Sequence, residues 1–254
     1  MSNSRIPVSP APNGDNKDPL RQFYKDGIME NPARWDYLIH KDTALLCIDL
    51  QYLDAARGCG VFKEADSSGV PPKDQEYYFN SLEERVLPNV RRLQQAFRQC
   101  HLEVIHTRIQ SLTRNGRDRS KGHKRLNLHA APGSKEAEFL EPIAPEGDEI
   151  VLNKTASGVF TSTNLHYVLQ NIGINGLYVV GVYTNECVET TIRHASDLGY
   201  LVTMVEDACT TVTPELHQAA IKTLRNRYAK VITTEEAIAD LRHVFPQVAV
   251  EAEA

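Results

Sequence analysis

The chain of 254 residues holds one large or two small domains at roughly 100–200 residues each, and its 41% hydrophobic and 24% charged residues exclude disordered, fibrous and disulfide-stapled classes. With 28 Lys and Arg against 33 Asp and Glu, the net charge of −5 stands against a nucleic-acid partner and favours a small molecule. The longest nearly unbroken apolar stretch, Leu177 to Tyr183, falls far short of the roughly 20 residues of a membrane helix, and the polar N-terminus lacks an apolar signal core, so a cytoplasmic protein with no membrane partner is expected.

Residues 1–40, with Pro7, Pro10, Pro12 and Pro32 and scattered hydrophobics, predict an extended N-terminal arm. From Thr43 the run Thr-Ala-Leu-Leu-Cys-Ile-Asp predicts a strand buried on both faces with Asp49 at its carboxyl end. Apolar positions at Leu82, Val86, Val90, Leu93 and Phe97 have helical spacing, and Pro88 predicts a kink or boundary. A second strand follows at 102–109. Residues 110–133 then carry Arg114, Arg117, Arg119, Lys121, Lys124 and Arg125 against the single acid Asp118 and read as a basic loop.

Beyond it the rhythm is regular. Strands are expected at 149–154, 177–183, 201–206 and 230–233, and helices near 162–171, 186–198, 214–228 and 235–244, with Thr213 as N-cap before Pro214. Strands alternating with helices imply a mainly parallel central sheet covered on both faces, a three-layer α/β/α sandwich. One domain over 41–248 and a short acidic tail over 249–254 complete the organisation.

In parallel sheets, ligands gather outside the carboxyl ends of the strands. Three of those ends carry reactive side chains: Asp49, Lys154 and, just after the strand ending at Tyr183, Cys187. A cysteine at a turn into a helix is expected to have a lowered thiol pKa and backbone N–H groups within reach of an oxyanion. Asp49 would be costly to bury alone, and Lys154 could hold it and tune the thiol. Such a set can run acyl transfer, with nucleophile, proton carrier and electrostatic support. A structural Asp–Lys pair, or a redox role for Cys187 with Cys59 or Cys209, are the competing readings. Five cysteines without a C-x-x-C pair suggest no disulfide framework or zinc knuckle, and the spacings of His101, His106, His123 and His129 suggest no metal site.

The segments Ile48-Asp49-Leu50-Gln51, Asn153-Lys154-Thr155 with Ser157-Gly158-Val159-Phe160, and Gly181-Val182-Tyr183-Thr184-Asn185-Glu186-Cys187-Val188 resemble, in order and separation, those of the isochorismatase-like cysteine hydrolases. That resemblance covers about 43–241 and extends most closely to ureide amidohydrolases of biuret, triuret and ureidoacrylate type. It implies Cys187 as nucleophile, Asp49 as general base and then acid, and Lys154 as the residue holding both. It also implies a cis peptide at Val182-Tyr183, an oxyanion hole from the N–H groups of Tyr183 and Cys187, no cofactor, and a homo-oligomer, frequently a tetramer. His106-Thr107-Arg108 stands where nicotinamidases carry metal ligands, which turns the expectation from nicotinamide toward a small-molecule ureide. Gln51, Tyr52, Gln110 and Phe160 are candidate substrate contacts, while Arg108 and the basic loop could instead select a carboxylate. N-carbamoyl amino acids and ureidoacrylate are alternative substrates, and a non-catalytic binding paralogue is the alternative of another class.

Overall fold

A computed structural model describes residues 24–64 and 67–248. Six strands form one sheet: β1 (Thr43–Ile48), β2 (Glu103–Ile109), β3 (Ile150–Lys154), β4 (Gly176–Val182), β5 (Leu201–Thr210) and β6 (Lys230–Ile232). They lie in the order β3-β2-β1-β4-β5-β6, and every pairing is parallel. The sheet is therefore the expected one, wholly rather than mainly parallel.

Alternation along the central strands sorts the core into two layers. Leu45 and Cys47 of β1, with Tyr178, Val180 and Val182 of β4, face the helices Leu87–Gln99 and Thr234–Val244. Ala44, Leu46 and Ile48, with Leu177 and Val179, face Leu165–Asn171, Glu189–Asp197 and Pro214–Leu224. All six residues of β1 are buried, as a strand covered on both faces requires.

Several local features depart from the sequence reading. Of the proposed extended arm, residues 1–23 lie outside the described residues. The described part is helical, with a π turn at Lys25–Met29 and an α-helix at Ala33–Ile39 that Arg34 fastens to β5 by donating to Thr203 Oγ1 at 2.8 Å and Val202 O at 3.0 Å. The tail 249–254 also lies outside the described residues. Pro88, by contrast, marks a boundary as expected: the wide turn Leu82–Val86 ends before it, and it falls in the first turn of the helix Leu87–Gln99, where a missing N–H is tolerated.

β5 continues past Glu206 to Thr210. It spends six residues, Met204 to Cys209, where β4 spends three, Val179 to Gly181. In that bulge Asp207 Oδ1 accepts from the N–H and hydroxyl of Thr234 at 2.7 and 2.8 Å. The N-cap at Thr213 is as expected, accepting from Leu216 N at 3.2 Å. The basic loop contains the short helix Lys121–Arg125, and Ser120 N donates to Thr155 O at 2.9 Å, so the loop lies against the end of β3.

Candidate active site

Chain order reverses between β1 and β4: from β1 the sheet runs to β2 and β3 on one side and to β4, β5 and β6 on the other. The crevice at such a reversal is where open parallel sheets bind ligands. Asp49 leaves β1 there with φ 55°, its N–H donating to Thr107 O at 3.0 Å. Gly181, one residue before the last of β4, has φ 121°, and a side chain there would meet Ile48 O at 2.1 Å, so only glycine lets the two strands close. The peptide Val182-Tyr183 is cis, and the chain enters the turn Thr184–Val188, which carries Cys187.

The three strand-end groups meet. Lys154 Nζ lies 2.8 Å from Asp49 Oδ2 and 3.2 Å from Cys187 Sγ, and donates to Ala156 O at 3.0 Å, so the ammonium has a partner for each of its three protons. Lys154, Asp49 and Cys187 are 0%, 1% and 4% exposed. An ion pair this deep costs heavily to desolvate, and Asp49 Oδ1 has no hydrogen-bond partner among the described residues, the ion pair being made through Oδ2.

The electrostatics correct one expectation. Burial pushes the Cys187 thiol well above its usual value, and although Lys154 pulls it down, the neighbouring Asp49 and Asp54 push it up again. Burial thus favours the thiol form, against the lowered pKa expected at the start of a helix. The physical reason is depth: Cys187 is the fourth residue of its turn and almost wholly buried, so desolvation outweighs the helix terminus. Burial also raises Asp49 above the usual carboxylate range, against the pull of Lys154, and makes it a stronger proton acceptor than a surface aspartate. Burial alone would lower Lys154, but Asp49 and Cys187 hold it above its ordinary value, so it stays charged.

The other candidate residues divide. Gln51 is fully buried with its amide committed to backbone: Nε2 donates to Ile109 O at 3.0 Å and Glu136 O at 2.7 Å, and Oε1 accepts from Ile109 N at 2.5 Å. It is a strut between β1 and β2, with no group left for a ligand. Phe160 stacks on Tyr200 at 5.8 Å, and Tyr52 lies under the Lys135 ammonium at 3.7 Å. Gln110 is half-buried, its N–H donating to Lys154 O at 3.1 Å. Arg108 is occupied by Asn153 Oδ1 and Ala137 O, both at 2.8 Å, and lies over Phe139.

Four residues at the site escaped the sequence reading. Asp54, 3% exposed, stands within electrostatic reach of Asp49, Lys154 and Cys187. Tyr78 donates to its main-chain oxygen at 2.9 Å. Thr107 faces Asp49 from β2. His123 is buried beside Lys154 with both ring nitrogens unpartnered among the described residues. A second acid five positions after Asp49 was the available signal for Asp54; nothing in a pattern of spacings singles out the other three. A cavity of about 190 Å³ opens against Tyr183 and Glu186, walled by Val61, Phe62, Leu128 and Thr211, and no Lys or Arg lines it among the described residues. No group of three or more His, Cys, Asp or Glu suited to a metal occurs among the described residues. All five cysteines are free thiols.

Known proteins share this architecture. The Arabidopsis thaliana protein named "probable inactive nicotinamidase" is 34% identical over 59% of this chain and 80% of its own length. The ureidoacrylate amidohydrolase RutB of Caulobacter segnis is 36% identical over 47% of this chain and 48% of that protein, so the match spans about half of that relative. Among solved structures, a cysteine hydrolase from Pseudomonas syringae pv. phaseolicola has the same fold, with a TM-score of 0.66 at 22% identity over 80% of this chain and 94% of that one. Residues 43–236 match the isochorismatase domain, from the first strand into the last helix, and the chain belongs to the isochorismatase family of hydrolases.

Proposed function

We propose that the protein is a cysteine amidohydrolase that cleaves a C–N bond of a small linear carbamoyl or ureido compound, of the biuret or triuret type, through a thioester and with release of ammonia. The observation that carries this reading is the buried set in which one ammonium touches both a carboxylate at 2.8 Å and a thiol at 3.2 Å. A structural ion pair alone accounts for Asp49 and Lys154 but not for a cysteine held against the same nitrogen.

In the proposed cycle Asp49 takes the thiol proton of Cys187 as the sulfur attacks the carbamoyl carbon. Lys154 steadies the carboxylate and the developing thiolate, and the N–H groups of Tyr183 and Cys187 receive the oxyanion. Collapse expels the amine, which takes the proton from Asp49. Water, deprotonated by Asp49, then attacks the thioester and frees the sulfur, which recovers its proton. Burial that favours the thiol form, beside a carboxylate whose proton affinity burial also raises, supports this order, in which the nucleophile forms only as the reaction begins.

Two observations favour an uncharged ureide over a carboxylate such as ureidoacrylate. Arg108, the cation best placed in sequence to select an acid, is already bound to Asn153 and Ala137. The cavity beside Tyr183 offers apolar and hydroxyl groups with Glu186, and no cation among its described lining. The test is ammonia release from biuret, triuret, ureidoacrylate, N-carbamoylsarcosine and nicotinamide by the wild type and by Cys187→Ala. The reading predicts turnover of a neutral linear ureide that the variant loses; undiminished turnover in the variant, or activity confined to nicotinamide, contradicts it.

A further inference from the structure

Asp54 is a carboxyl group that the proposed cycle does not use. It sits in the turn after β1, 3% exposed, with Oδ1 buried and unpartnered among the described residues. Its main chain is held firmly: Tyr78 Oη and Tyr183 Oη both donate to Asp54 O, at 2.9 and 3.3 Å, so the residue is tied to the tyrosine that follows the cis peptide. Gly60 closes the same turn at φ 51°, where a side chain would collide with Leu53 O. The backbone of the turn is thus held in place, with the Asp54 carboxyl buried beside it.

The groups facing it are Asp49, Lys154, Cys187 and Glu186, together with the rings of Tyr78 and Tyr183. A buried polar atom without a partner is costly. Here three acids surround one ammonium whose protons are all engaged by Asp49, Cys187 and Ala156. Burial first, and the carboxylate of Asp49 second, raise Asp54 well above the usual carboxylate range, which favours its protonated form. A protonated carboxyl presents one O–H donor beside one C=O acceptor. That edge is the complement of an amide or urea edge, where a C=O acceptor stands beside an N–H donor.

We infer that Asp54 is a substrate-recognition residue, pairing edge to edge with an uncharged N–H-bearing amide or ureide held at Cys187. The assignment rests on the amidase reading for the identity of the substrate, but the recognition it describes can be read without turnover. The pair consists of two hydrogen bonds, acid O–H to ligand carbonyl and ligand N–H to acid carbonyl. Its specificity follows: primary amides, ureas and carbamoyl termini fit, N,N-dialkylated edges lack the donor, and carboxylates bring a charge beside Asp49 and Glu186.

The experiment is alkylation of Cys187 by iodoacetamide and by iodoacetate, reagents with the same electrophilic carbon but an amide edge in one and a carboxylate in the other. Rates are read by mass spectrometry on the full-length protein, with methyl methanethiosulfonate, which has neither edge, reporting intrinsic thiol reactivity. The wild type is expected to prefer iodoacetamide, and Asp54→Leu to lose about tenfold or more of that preference, each rate being divided by that of the thiosulfonate in the same protein so that a change in intrinsic thiol reactivity cancels. Asp54→Asn, which keeps a donor and an acceptor, retains most of the preference. Should Asp54→Leu fail to fold, protection of the wild type decides: biuret slows labelling and tetramethylurea does not. Equal preference in wild type and Asp54→Leu, no preference in the wild type, or equal protection by the two ureas overturns the inference. If labelling follows Asp54 while no ureide is hydrolysed, recognition stands and the amidase reading falls.

Discussion

The two ends of the sheet hold opposite kinds of polar cluster. At the amino end a cavity of about 460 Å³ is bordered by Arg34, Trp35, Tyr178, Lys230 and Asp240. Its charges are provided for: Arg34 donates to Ile28 O, Thr203 Oγ1 and Val202 O, and Lys230 pairs with Asp240 at 2.9 Å. At the carboxyl end cavities of about 310 and 190 Å³ open, both smaller, yet the buried groups of that end include Asp54 and His123 with unpartnered atoms, and a thiol against an ion pair. Volume therefore does not mark the site. Buried polarity that the protein itself leaves incomplete does, because a ligand completes it.

The sharpest way to break this comparison is to remove the sulfur. Cys187→Ala should lower kcat of the hydrolase by at least about 10⁴-fold while global stability stays within about 1 kcal/mol, read by steady-state kinetics and chemical denaturation. Asp49→Asn should cost turnover about 10²–10⁴-fold and also stability, on the order of 3–5 kcal/mol, because it strands a buried ammonium. If Asp49→Asn is as stable as the wild type, the ion pair is not the structural strut of the site.

Acid should act at the carboxyl end as well. Burial first, then Lys154 and Arg119, lower the His123 imidazole to about 4; burial, then Arg85, do the same to His217, whose Nδ1 lies 2.8 Å from Thr184 Oγ1. Between about 4 and the ordinary 6.5 the unfolded chain binds these protons and the folded chain does not. Their contribution is therefore complete above pH 6.5 and is lost as the pH falls toward 4, on the order of 2 kcal/mol for each. Melting temperature against pH should show this slope, and His217→Gln should flatten it in part; an unchanged slope in that variant contradicts the assignment. The smallest effect belongs to the other end: Arg34→Ala should lose about 1–2 kcal/mol of stability and leave kcat/KM within about twofold. A larger kinetic effect would give the amino-end cavity a role in the reaction.

How far the sequence foretells this molecule follows the range of the physics. The uninterrupted apolar run of β1 announces a doubly covered strand, and the strand-helix alternation after 149 announces a parallel sheet, because both are local patterns. Asp49, Lys154 and Cys187 stand out in the sequence because each lies at or just after a strand end, and the fold brings the three together. The extension of β5 was hidden because Glu206 and Asp207 interrupt its apolar run; they occupy a bulge whose partners, Arg225 and Thr234, are remote in sequence. Gln51 misled because an amide beside a strand end serves equally as ligand contact or as backbone strut, and only the proximity of Ile109 and Glu136 decides. The state of the Cys187 thiol was illegible for a similar reason, since burial and not helix position sets it.

The central claim is that Cys187, activated by Asp49, attacks the substrate and carries its acyl group. Intact-mass spectrometry of acid-quenched enzyme, taken within the first turnovers of a ureide it hydrolyses, tests this most directly. The account predicts a transient adduct of the acyl mass that maps to Cys187 and is absent from Cys187→Ala. Continued ammonia release with an unmodified Cys187, sustained in the alanine variant, would contradict it.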